Sequence, residues 1–148
     1  MKKLIIASTL SLLAMSTFAV EVGLIASHEN IGSRNGAGVV VSQQVGSVSV
    51  SGEAERFTKG MDNQNRYTVL VKAPLRTFGS FTANVGGGFA YLDSTTMTNG
   101  YTLVGSVGVV TQLTKGVSLG LDFRKQYSRG VTRPYNGYDT VLAVKYSF

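Results

Sequence analysis

His28 is the single histidine of the chain, and an aspartate and a serine, Asp93 and Ser94, stand side by side much farther along. A histidine, an acidic orienting group and a hydroxyl nucleophile together suit acyl transfer or hydrolysis. The spacing does not join them, so only the fold could bring them into reach of one another. Other chemistries find less support. With no cysteine, one histidine and no carboxylates at calcium-loop spacing, no metal site is expected. Gly86-Gly87-Gly88 lacks the Gly-Lys that would make a phosphate loop, so the glycines are read as relief of crowding in a strand. The expectation is no cofactor and no catalysis, with His28, Asp93 and Ser94 as the catalytic alternative.

The elements that would position these residues are strands. The last stretch, Gly137–Phe148, alternates Tyr138, Thr140, Leu142, Val144, Tyr146 and Phe148 with Asp139, Val141, Ala143, Lys145 and Ser147. Successive strand residues point to opposite faces, so one face is apolar with aromatic ends and the other is mixed. The same period runs back through the chain. Eight strands are expected, over 20–29, 37–45, 48–59, 66–76, 80–93, 101–113, 117–127 and 137–148. Short glycine-bearing turns are expected at Gly46-Ser47, Thr77-Phe78-Gly79 and Thr114-Lys115-Gly116. Longer polar connections, Asn30–Gly36, Gly60–Asn65, Ser94–Gly100 and Ser128–Asn136, fall at the other ends. The alternation weakens in strands one to three, where Gln43 falls on the apolar face, so a bulge or phase shift is expected there.

Length and composition agree with a single exported domain. Met1-Lys2-Lys3, the apolar stretch Leu4–Met15 and Thr17-Phe18-Ala19 form a signal peptide, with cleavage expected after Ala19 and the barrel over 20–148. Without Lys2 and Lys3 the formal charge of +6 falls to +4. Beyond the signal no apolar run is long enough to cross a bilayer as a helix. Aromatics mark both strand ends: Tyr67, Tyr91, Tyr101, Tyr127 and Tyr138 on the long-loop side, and Phe81, Tyr146 and Phe148 on the short-turn side. Two such girdles suit an all-β, antiparallel up-and-down barrel in a membrane, whereas a soluble β-sandwich would keep its largest rings mid-strand.

Within that barrel Glu53, Lys72, Asp122, Arg124, Asp139 and Lys145 fall on the inward face, together with Glu21, Glu55, Arg66 and Arg76. Hairpin register is expected to set Glu53 near Lys72 and Arg124 near Asp139. An eight-stranded interior is just filled by side chains, and buried charges need partners, so a salt-bridged plug is expected. A narrow ion path is the alternative. On the outer side, Lys125, Arg129 and Arg133, with Arg34 and Lys59 nearby, could contact phosphates of lipopolysaccharide.

The signal, the alternating strands and the terminal Tyr146-Ser147-Phe148 together resemble the small eight-stranded outer-membrane barrels, the class of the OmpA membrane domain, OmpX and NspA. That resemblance covers Val20–Phe148. It implies a cell outer membrane location in a Gram-negative bacterium, a monomer among lipid and lipopolysaccharide, and no nucleic-acid partner. It also implies that Tyr146 and Phe148 are the signal read by the barrel-assembly machinery. Unlike full-length OmpA proteins, the chain is expected to carry no periplasmic domain. Small barrels that modify lipid A also place catalytic residues at the outer rim. The amphipathic helix of the palmitoyltransferases is not visible here, nor is the close His and Ser on one strand of the deacylases.

Overall fold

The computed structural model describes residues 19–30, 32–59, 62–94, 99–128 and 137–148. Eight antiparallel strands follow one another around a closed barrel: β1 (Val20–Glu29), β2 (Arg34–Val45), β3 (Val48–Lys59), β4 (Asp62–Phe78), β5 (Phe81–Ser94), β6 (Gly100–Thr114), β7 (Val117–Ser128) and β8 (Tyr138–Ser147). Closure is made by β1 against β8, from Glu21 opposite Ser147 to Glu29 opposite Asp139. It leaves no unpaired strand edge. The terminal residue also takes part, because the Phe148 amide donates to the Val20 carbonyl at 3.1 Å.

Alternation decides which side chains go where. Leu24, Phe89, Leu103, Val107 and Phe123 stand on the outside, each more than half exposed. Inside are Ile25, Val40, Leu70 and Val141, buried among Ser42, Glu53, Arg66, Arg124 and Asp139. A continuous apolar wall around a charged interior is the inverse of a water-soluble protein, and it suits hydrocarbon outside.

The short turns are tight because Gly46, Gly79 and Gly116 adopt φ of +61°, +59° and +82°, a region that side-chain-bearing residues rarely enter. β4 runs on to Phe78, two residues past its expected end, so its turn is Gly79-Ser80. At the other end the strands also run farther than expected. β2 starts at Arg34 and β4 at Asp62, so the second long connection shrinks to residues 60–61. Its former loop residues Asn63–Asn65 pair with Thr58–Arg56. Polar residues on both faces give no period-two signal, which hid this extension.

The irregularities also lie elsewhere. Pairing runs unbroken through β1, β2 and β3 despite Gln43. The shifts are in β4, between Pro74 and Arg76, and in β6, between Gln112 and Thr114. Pro74 cannot donate to a ladder, and a bulge is where a strand tolerates proline. Beyond it Arg76, expected inside, is exposed at the turn end with its guanidinium 4.9 Å from the Phe78 ring centre.

Candidate functional site

The interior side chains form three charged levels along the barrel axis. At the outer mouth Arg34 Nε donates to Glu29 Oε2 at 2.8 Å, with both side chains almost fully buried. Arg34 was expected in a solvated loop; as the first residue of β2 it faces the lumen instead. Next to this pair Arg66 donates from Nε to Glu55 Oε2 at 2.8 Å and from Nη1 to Asp139. Gln126 also donates to Asp139, and the Ser27 hydroxyl to Glu55. The Phe57 ring lies against the Arg66 guanidinium, 4.5 Å from its centre. Gly36 leaves room for that ring, since a Cβ there would come within 2.6 Å of it.

The middle level is built on Arg124. It donates from Nη1 and Nη2 to the two oxygens of Glu53, at 2.6 and 2.8 Å, and from Nη2 to Asp122 at 3.4 Å. Lys72 donates to Asp122 from another side. At the turn end Lys145 donates to Glu21 Oε2 and to Ser42 Oγ, each at 3.0 Å, and Ser42 donates to Glu21 at 2.8 Å.

The partners differ from those that hairpin register suggested. Glu53 stands opposite Thr68, and Lys72 opposite Ser49, so the two are not neighbours across the β3–β4 ladder. Arg124 does stand opposite Asp139, yet its guanidinium turns away to Glu53 on β3. In an eight-strand ring β3 and β7 face one another across the diameter, as do β4 and β8. Long side chains span so narrow a lumen, and ladder register describes only adjacent strands. Glu29 and Gln126 were not singled out from the sequence. The alternation within β1 would have placed Glu29 inside with Ile25 and Ser27.

The possible catalytic residues do not come together. His28 is on β1 and Asp93 and Ser94 are on β5, four strands away in the ring. His28 is exposed on the outer wall with Nδ1 2.8 Å from Asn35 Oδ1. The Ser94 amide donates to Asn99 Oδ1 at 2.9 Å. A base across the barrel from the hydroxyl cannot activate it. Among the described residues no three metal-ligating side chains cluster.

On the outer wall, Lys125 faces outward near the loop end of β7. Its ammonium lies 3.8 Å from the Tyr138 ring centre and 5.7 Å from that of Tyr127. Arg129 and Arg133 lie outside the described residues. At the turn end the rings of Tyr146 and Phe148 pack edge to face, 5.0 Å between centres, and both are exposed.

No protein-family model matches the chain, and no curated protein matches it. Solved structures do. The N-terminal barrel domain of Pseudomonas aeruginosa OprF superposes with a TM-score of 0.69 at 14% identity, covering 88% of this chain and 97% of that one. Neisserial surface protein A gives 0.64 at 13% identity, over 89% and 96%. A de novo designed transmembrane barrel gives 0.64 at 10% identity, over 88% and 95%. A designed barrel among these neighbours makes plain that the likeness concerns fold and not activity. This chain has the architecture of the small eight-stranded outer-membrane β-barrels.

Proposed function

We propose that this chain is a non-catalytic barrel of a Gram-negative outer membrane, with a structural or surface-interaction role. The observation that carries the reading is the pairing of an apolar outer wall with a lumen closed by ion pairs, above all Arg124 held between Glu53 and Asp122. The protein is exported by the signal over 1–19 and assembled as a monomer by the barrel-assembly machinery, which reads Tyr146 and Phe148. Lys125 on the wall, together with Arg129 and Arg133 of the same stretch of sequence, contacts lipopolysaccharide phosphates.

A narrow ion path is the second reading. It is favoured by one feature: Arg124 already touches two carboxylates, so it could exchange one partner for the other. Conduction would require it to leave Glu53, and a lumen this full opposes that.

Fractionation and gel mobility test the first reading. A folded membrane barrel resists dodecyl sulfate until boiled, so the unboiled protein from outer membranes should migrate differently from the boiled one. A soluble periplasmic protein with one mobility would overturn the reading.

A further inference from the structure

The outer wall is not evenly filled. A groove of about 460 Å³ opens on it over Gly87 and Gly105, walled by Val69, Val71, Phe89 and Leu103. The glycines of its floor have no backbone reason to be glycine. Neither has a positive φ. A Cβ on Gly105 would meet nothing within 4 Å, and one on Gly87 would meet only the Val104 carbonyl at 3.6 Å, an ordinary contact. Their neighbour Gly88 differs, since a Cβ there would collide with the Val69 carbonyl. Two glycines free to carry a side chain, adjacent across β5 and β6, keep a trough open.

A row of register partners leads from the trough to the rim. Register aligns Val71 with Gly87, Gly87 with Gly105, Gly105 with Lys125 and Lys125 with Tyr138. Val71 lies deep in β4, Gly87 midway along β5, and Gly105 nearer the loop end of β6. Lys125 is nearer still in β7, and Tyr138 is the first residue of β8. The row therefore climbs from the middle of the wall to the outer rim, apolar below and cationic at the top. Tyr127 and Tyr138 flank the Lys125 ammonium where headgroups would lie.

We infer that this trough binds one outer-leaflet lipid with a phosphate headgroup, a lipid A, whose acyl chain lies over Gly87 and Gly105 and whose phosphate meets Lys125. The inference rests on the outer-membrane reading. Charge complementarity chooses the occupant: a second copy of the barrel would bring another lysine-topped wall against the first, whereas a phosphate neutralises it.

The test uses the full mature chain refolded in detergent, with bound diphosphorylated lipid A counted by native mass spectrometry. Gly105→Leu fills the floor and should weaken binding about tenfold. Lys125→Gln should weaken it about fivefold, and removing the phosphates from lipid A should weaken wild type by at least as much and Lys125→Gln by less than wild type. Val39→Phe, on the far wall, should bind as wild type does. If Gly105→Leu does not fold, the smaller Gly105→Ala and Gly87→Ala should each give a partial loss. Equal binding by the filled and open troughs would overturn the inference, as would equal loss in Val39→Phe. A dimer that Gly105→Leu converts to monomer without loss of lipid would also overturn it and assign the groove to a second copy. A wild-type protein with no heat-dependent mobility fails the outer-membrane reading instead, and is recognised before any lipid is added.

Discussion

Arg124 on β7 grips both oxygens of Glu53 on β3 across the full width of the barrel, at 2.6 and 2.8 Å, and both side chains are almost entirely buried. A bidentate pair across the diameter ties together opposite walls that share no ladder. Removing one partner strands the other charge. Glu53→Gln or Arg124→Met should each cost about 3–5 kcal/mol in urea unfolding from detergent or vesicles. Glu53→Gln combined with Arg124→Met should cost less than the two single changes added together, and strict additivity would refute a direct coupling.

The glycines divide by what surrounds them. Gly88→Ala drives a methyl against the Val69 carbonyl and should lose about 1–3 kcal/mol by the same assay. Gly105→Ala meets open space and should be neutral or gain about 0.5 kcal/mol. Equal losses would mean that crowding does not explain these positions.

The conductance of the purified protein in planar bilayers separates a plug from a path. With so narrow a lumen filled by side chains, wild type, Glu53→Gln and Lys72→Met should all show no steady pore current. A current that appears or changes with either substitution would favour ion passage.

Replacing His28 or Ser94 by Ala should leave the acylation pattern of lipid A unchanged in mass spectra of extracted lipid. They stand on β1 and β5, across the ring from one another. A pattern altered by both would demand a substrate that spans the mouth of the barrel.

Phe148→Ala should lower the amount of folded protein in cells several-fold, while the purified chain folds into detergent almost as wild type does. The Phe148 ring meets that of Tyr146 edge to face and the residue is 80% exposed, so burial within the monomer gives it little weight in stability. Equal failure in both settings would make it a structural residue and not an assembly signal.

Much of this was legible in the sequence because a barrel wall writes its two faces in alternate residues. Tyr138, Leu142 and Val144 stand outside and Asp139, Val141 and Ala143 inside, as the period of two requires. Gly46, Gly79 and Gly116 marked the tight turns through their positive φ. Partners across the lumen were not legible. Arg66 meets Asp139 and Arg124 meets Glu53 because opposite strands converge on a narrow axis, and no local spacing encodes that. Arg76 was misplaced because the bulge after Pro74 turns it out of phase, and Pro74 was the available warning. Arg34 was misplaced because β2 begins earlier than its apolar alternation does.

In the proposed outer membrane, hydrocarbon surrounds the wall that carries Val107 and Leu142, both exposed. The chain has no cysteine, so a single fluorophore can be attached at Val107→Cys or Leu142→Cys without other changes. In vesicles of brominated lipid both probes should be strongly quenched, and iodide in the water should leave them untouched. Quenching by iodide, with brominated lipid ineffective, would put water against that wall and contradict a membrane setting.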